Sequence, residues 1–551
     1  AGRKLDYRVS PRYSSINPHN IVCSPRKMIH RFTWILTRLG YPPGRMVEVY
    51  GREEERPQVQ RTGEFQRKHQ TDYGRQRVIP MSELSTAQNT MAHAWEAPTY
   101  RGAPGMSARM RIPGSKSLTN RYLLLAALAD SPSRLRAPLH SRDSALMISA
   151  LETLGAQFER IETGSEFGPD LLITPLNLAS APPMVKIDCG LAGTVMRFVP
   201  ALAALLPGEY TFDGDPHARK RPMAALCDGL RQLGARIERS NDSVDTLPFT
   251  LHSPGLAAAS GTPAKIFIDA SASSQFVSAL LLIAPRLPQG LTIRHRGNAV
   301  PSIPHIEMTL QTLRDLGVRA EAVADEYAWR VFPDTISGFD VTVEPDLSNA
   351  GPFLTAAMVT GNSVTIPDWP APTADGSPGT TQGGDEWRTI LPRLGGAVEF
   401  SNGSLTVTGP EDITRFSGVE FNLQTAGELA PTVAALVVLL DSPSTLTGIG
   451  HLRGHETDRL AALVTEINRL GGLAEETADG IRVLRPVRRL PQDSPVTVQT
   501  YEDHRVATFA AVIGLHEPGV RIENVQTTAK TLPQFTALWQ KMLSQWKGVR
   551  S

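Results

Sequence analysis

From about Met110 to the C-terminus, short apolar runs with strand alternation take turns with longer stretches of helical period, whereas residues 1–80 hold no sustained hydrophobic period. One junction recurs. A helix ending in Leu-Gly and followed by a strand is predicted at Leu154-Gly155, Leu233-Gly234, Leu316-Gly317, Leu394-Gly395 and Leu470-Gly471, and the glycines stand 79, 83, 78 and 76 residues apart. Each glycine falls where a helix closes on a left-handed residue, and the residues that follow it alternate with period two. A sixth copy is expected to end near Trp546-Lys547-Gly548. Together these copies predict an α/β protein built from repeated strand-and-helix units. Residues 1–95 read as an extension outside that fold, with Met81 and Met91 as candidate native starts.

A second kind of helix is apolar over most of its length and follows small polar residues and glycines. Three starts stand out: Gly114-Ser115-Lys116-Ser117-Leu118-Thr119-Asn120-Arg121, Gly190-Leu191-Ala192-Gly193-Thr194 and Ser271-Ala272-Ser273-Ser274-Gln275. The first turn of a helix carries unpaired N–H groups and the positive dipole end, hydroxyls add donors, and glycine lets an anion approach the backbone. Singly, each is better read as an ordinary helix cap. Lys116 and Arg121 go further, since a cap has no need of fixed cations. More cations cluster at Lys220-Arg221-Pro222-Met223, His455-Glu456-Thr457-Asp458-Arg459, Asp503-His504-Arg505 and Thr528-Ala529-Lys530. Brought together, they suit a ligand carrying phosphate and carboxylate groups.

Composition narrows the class. The chain has 551 residues, 41% hydrophobic and 6% aromatic, enough for more than one core. Its formal charge of +1 hides an asymmetry: residues 1–80 hold 16 basic against 7 acidic residues, leaving 40 against 48 beyond. The basic residues of 1–80 are interrupted by Pro, Gln and Glu53-Glu54-Glu55, so a nucleic-acid arm is disfavoured. No apolar run is long enough for a membrane span. Three cysteines without a CxxC pair (Cys23, Cys189, Cys227) exclude a disulfide framework and a cysteine zinc site, and a reducing, cytoplasmic setting is expected. Gly448-Ile449-Gly450 fails GxGxxG, the Gly114 segment lacks P-loop spacing, and His451 and His455 sit outside any HExxH, so neither cofactor nor metal is expected.

Seven motifs in order resemble those of the enolpyruvylshikimate-phosphate synthases: Gly114 to Ala129, Ala192 to Arg197, Arg221 to Met223, Ser273 to Phe276, His455 to Leu460, Asp503 to Arg505, and Ala529-Lys530. The resemblance covers about residues 95–545. It implies two similar domains, each of three βαβαββ-type units, with the active site in the cleft between them. One domain is expected at 114–343 and the other at 96–113 plus 344–545, the chain crossing near Pro113 and near Val343-Glu344-Pro345. It also implies a monomer that moves the enolpyruvyl group of phosphoenolpyruvate to the 5-hydroxyl of shikimate-3-phosphate, and competition by glyphosate at the donor site.

Carried over residue by residue, the resemblance implies shikimate-3-phosphate contacts from Lys116, Ser117, Arg121, Ser273, Ser274, Gln275, Ser302, Glu428 and His455. Phosphoenolpyruvate contacts are implied for Lys116, Gly193, Thr194, Arg221, Gln275, Arg459, Arg505 and Lys530. Two proton-transfer groups are needed: Glu428 is expected as base toward the acceptor hydroxyl and Glu456 as acid toward the methylene, with Lys116 stabilising charge and Asp143 assisting. Cations lower the pKa of both glutamates and desolvation raises it, a balance the sequence leaves open. The chain departs from the familiar pattern at Leu191 (Asn expected), His305 (Tyr), Glu428 (Asp) and His455 (Lys). An imidazole at His455 is expected to titrate near neutrality, weakening shikimate-3-phosphate binding between about pH 6 and pH 8.

Rival readings are a transferase acting on a UDP-linked amino sugar, a non-catalytic anion- or nucleic-acid-binding protein, and a phosphoryl transferase. The first should carry a reactive Cys near His217-Ala218-Arg219, the second more exposed aromatics and positive charge beyond residue 95, and the third a magnesium-dependent phosphate motif.

Overall fold

The glycines of the repeated junction all adopt positive φ (Gly155 110°, Gly234 109°, Gly317 84°, Gly395 83°, Gly471 81°), the conformation a helix-closing glycine supplies without a Cβ clash. The computed structural model describes residues 94–547 apart from 181, 183, 240–244, 260, 299, 324–325 and 489–493. The expected extension up to residue 93, with Met81, Met91 and Cys23, lies outside the described residues, as does Gly548. Trp95, which the expected boundary left in the extension, belongs instead to the strand Trp95–Glu96, antiparallel to Val520–Ile522.

Five four-stranded sheets share one pairing plan, a parallel pair extended by an antiparallel hairpin, and a sixth has three strands. In the second unit Met184–Asp188 runs parallel to Pro207–Asp213, which pairs antiparallel with Phe249–Pro254 and that in turn with Arg236–Arg239. Between the parallel strands lies an inner helix, Gly193–Ala203, buried along its whole length. An outer helix, Ala224–Gln232, buries one stripe and ends at Leu233-Gly234. Helices apolar all round have to be enclosed, and those with one apolar stripe lie over a sheet.

Six inner helices follow this plan, in two trios. Lys116–Leu128, Gly193–Ala203 and Gln275–Ile283 pack together inside a core running from Leu118 to Val343. Leu347–Thr360, Ala430–Val437 and His504–His516 do so inside a second core, drawn from Ala97–Ile112 and Leu347–Trp546. Each fully buried Leu, Val or Phe on these helices contributes roughly 1.5–3 kcal/mol. The fourth outer helix departs from expectation. It is the short turn Trp387–Ile390 followed by a 3-10 turn, Pro392–Leu394, because Pro392 has no N–H to continue an α-helix.

The chain passes between the cores twice, and the two passages are hydrogen-bonded side by side. Gly114 and Pro345 form an isolated antiparallel bridge. Ser115 N–H donates to Glu344 O at 2.8 Å and Asp346 N–H to Pro113 O at 2.9 Å.

Candidate active site

All six inner helices point their N-termini at one cavity. It is lined by Lys116, Ser117, Gly193, Thr194, Ser274 and Gln275 from the first trio and by Asp346, Glu428, His504 and Arg505 from the second. Ser302 precedes the outer helix Ile303–Asp315, and Glu456 and Arg459 open the outer helix Arg459–Arg469, so outer helices add to the walls. Converging dipole ends and unpaired N–H groups make this an anion site before any side chain is counted. Among the described residues no group of His, Cys, Asp and Glu is arranged to hold a metal, and no helix is long and apolar enough to cross a membrane.

The cations are held by different means. Arg121 is fully buried with no carboxylate at ion-pair distance among the described residues; its donors go to Thr309 Oγ1 (2.9 Å), Ser117 O (2.9 Å), His305 O (2.9 Å) and Ser278 Oγ (3.4 Å). Burial pulls its pKa down to about 10, against the pull of Glu428, so it stays charged at neutral pH. Arg459 is clamped by Asp503 (2.7 Å) and Glu456 (2.9 Å), and Lys530 reaches Glu456 at 2.7 Å. Lys116 Nζ lies 3.6 Å from the buried Asp143. Asp143 and Lys530 thus join the site through Lys116 and Glu456, which line the cavity.

The open balance at the glutamates resolves toward the cations. Burial alone would raise Glu456, but Lys530, Arg459, Arg221 and Lys116 hold it well below the usual carboxylate range. Burial likewise pushes Glu428 upward, and the charge and hydrogen bond of His305, then Arg505 and Ser348, bring it well below that range. Glu428 pairs with His305 Nε2 through Oε1, and its Oε2 accepts from Ser348 Oγ (3.0 Å) and Arg505 (3.4 Å).

His455 requires a correction. Desolvation, then Arg459, hold its pKa well below the ordinary histidine value, and Arg459 donates to its Nδ1 at 3.1 Å, so that nitrogen is an acceptor. Both effects disfavour the imidazolium on which the expected weakening of binding between pH 6 and pH 8 relied. Leu191 gives the site only its carbonyl, 3.4 Å from Arg221 Nη1. At Gly193 an added Cβ would sit 3.0 Å from both terminal nitrogens of Arg221.

Lys116, Ser117, Arg121, Gly193, Thr194, Arg221, Ser273, Ser274, Gln275, Ser302, Glu428, His455, Glu456, Arg459 and Arg505 all line the one cavity. Sequence reasoning assigned no role to four residues found beside them. Arg197 is buried over the Phe276 ring (5.2 Å) and donates to Gln275 Oε1 at 2.7 Å. Asp346 accepts from both Asn349 N–H (3.0 Å) and Lys116 N–H (3.2 Å), joining helix starts of the two trios. His451 stands 3.4 Å from Ser302 Oγ, and His504 is buried with neither ring nitrogen hydrogen-bonded among the described residues. Asp346 had a local signal, an acidic residue just before an apolar run, and Arg197 and His504 fell within motifs already singled out.

Solved structures share this fold. EPSP synthase from Acinetobacter baumannii superposes with a TM-score of 0.61 at 20% identity, covering 82% of this chain and 97% of that one. The enolpyruvyl transferase NikO from Streptomyces tendae gives 0.58 at 19%, covering 80% and 96%. The fold is thus the enolpyruvyl transferase fold. A family model for EPSP synthase (3-phosphoshikimate 1-carboxyvinyltransferase) matches residues 101–539. The 3-phosphoshikimate 1-carboxyvinyltransferase of Kocuria rhizophila is 53% identical over 467 residues, 83% of this chain and 99% of the relative. That of Bifidobacterium longum is 45% identical over 460 residues, 83% and 99%. The chain belongs to the EPSP synthase family, and its activity is the carboxyvinyl transfer of the shikimate pathway.

Proposed function

We propose that the cavity carries out this transfer with acceptor and donor held by different residues. Ser117, Arg121, Ser273, Ser274, Gln275 and Ser302 take shikimate-3-phosphate, with Glu428 and His455 at its ring. Gly193, Thr194, Arg221, Arg459, Arg505 and Lys530 surround phosphoenolpyruvate, and Lys116 faces both. The observation that carries this reading is Arg121: a guanidinium buried among neutral acceptors is an unneutralised charge, which a phosphate would complete.

Glu428 removes the acceptor hydroxyl proton as oxygen adds to C2 of phosphoenolpyruvate, and Glu456 supplies the proton to the methylene carbon. In the elimination Glu456 takes a proton back from the methyl carbon, the C–H electron pair re-forms the carbon–carbon double bond, and phosphate leaves as C–O breaks. Glu456 is ionised in the free site, so donor binding has to protonate it. A donor anion draws Lys530 and Arg459 toward itself and places negative charge beside Glu456, and both effects raise the carboxyl's proton affinity. Asp143 keeps Lys116 oriented. The two cores correspond in this proposal to domains at 114–343 and at 96–113 plus 344–545, in a cytoplasmic monomer.

The test is phosphate release from phosphoenolpyruvate in EDTA, with shikimate-3-phosphate and UDP-N-acetylglucosamine as separate acceptors. Release with shikimate-3-phosphate alone is expected; release with the nucleotide sugar, or a requirement for metal, overturns the assignment.

A further inference from the structure

Two of the four departures from the familiar pattern, His305 and Glu428, touch each other. Glutamate carries its carboxylate one methylene farther than the expected aspartate, and imidazole presents an N–H in place of the expected phenol. An ionised carboxylate offers about four lone-pair positions and no donor. Among the described residues, His305 Nε2 occupies one on Oε1, while Ser348 Oγ and Arg505 occupy those of Oε2. The position left open is on Oε1, the oxygen that His305 holds.

We infer that His305 is a positioning residue for the acceptor-side base: its Nε2–H orients the Glu428 carboxylate so that the open position on Oε1 faces the acceptor hydroxyl. The inference rests on the reading of Glu428 as base. In the step itself the acceptor O–H bond breaks, its electron pair forms the bond to C2, and its proton comes to rest on Glu428 Oε1. His305 keeps its own proton throughout.

The groups around the ring come from four elements. Glu428 lies on the turn Gly427–Leu429, His451 on the turn Gly450–Gly454, and Arg121, on the helix Lys116–Leu128, donates to His305 O at 2.9 Å. Arg505, on the helix His504–His516, acts on the ring through Glu428. His305 enters this cluster because Ser302, at φ 53°, turns the chain sharply into the helix Ile303–Asp315.

The test compares His305→Ala, His305→Gln and Glu428→Gln by phosphate release, with shikimate-3-phosphate binding measured by calorimetry to show that each variant is folded. His305→Ala should lower kcat by about a hundredfold, the cost of a misplaced reacting group, with the acceptor KM changed by less than about threefold. His305→Gln keeps an uncharged N–H toward Oε1. It should recover most of that loss, again with little change in the acceptor KM. An alanine variant with near-normal kcat, or a glutamine variant no more active than the alanine one, overturns the inference. Glu428→Gln separates the two levels: if it turns over normally the base assignment itself is wrong, whereas if it is inactive while His305→Ala is unaffected, only the role of His305 falls.

Discussion

Replacing Arg121 with methionine should remove acceptor binding while leaving the free protein as stable as before, or more so. The side chain is buried, and its hydrogen bonds all go to neutral groups. Hydrogen bonds from a charged group contribute about 1.5–3 kcal/mol each, but taking a cation out of water costs several kcal/mol, and replacing a buried ion by an apolar residue of similar volume is often neutral or stabilising. The acceptors left behind keep partners: His305 O still accepts from Thr309 Oγ1 (3.0 Å) and Ser278 Oγ (3.3 Å). The free variant should therefore range from unchanged to about 2 kcal/mol more stable. Binding is another matter. Removing one partner of a buried charge pair costs about 2–5 kcal/mol, roughly 30- to 4,000-fold in Kd. Urea unfolding with and without shikimate-3-phosphate reads both quantities, since ligand about 100-fold above Kd stabilises the wild type by about 2.7 kcal/mol. A variant several kcal/mol less stable when free, yet still stabilised by ligand, would refute the reading of Arg121 as a charge kept for phosphate.

Three further outcomes are expected. Glu456→Gln should cut kcat by about 10²- to 10⁴-fold, the usual range for a lost proton-transfer group, in a phosphate-release assay. Gly193→Ala, whose Cβ would press on the Arg221 guanidinium at 3.0 Å, should raise the KM for phosphoenolpyruvate about tenfold with little effect on the acceptor, and should weaken competition by glyphosate in parallel. His451, His455 and His504 all have pKa values lowered mainly by burial. Below about pH 6.5 the unfolded chain binds protons that the native state does not, so stability rises with pH and is lost as pH falls through that value; urea midpoints equal at pH 7.5 and pH 5 would contradict this.

Local signals in the chain announced the repeat but not its closure. Leu-Gly junctions and wholly apolar helices identify themselves within a dozen residues. The strands Asp340–Thr342 and Ser107–Arg109 complete sheets with Ser133–Arg136 and Ser363–Pro367, and pairing over such separations leaves no local trace. The site divides in the same way. Lys116, Arg121 and Arg505 were legible because a cation beside a helix start is unusual, whereas Arg197 and His504 look ordinary until their burial is known. His455 was misjudged for that reason: an imidazole in water titrates near neutrality, and only the packed site, with Arg459 against the ring, shows why this one does not.

The side-by-side passages between the cores have a consequence for how the chain is made. Core residues from Leu118 to Val343 leave the ribosome as one uninterrupted stretch and can pack as they emerge. The strands before them cannot, because Trp95–Glu96 must wait for Val520–Ile522 and Ser107–Arg109 for Ser363–Pro367. Until residues 363–367, and then 520–522, have been made, these strands remain unpaired edges tethered to a finished neighbour. A helper that shields exposed strands should therefore matter most in the interval before the last strand appears.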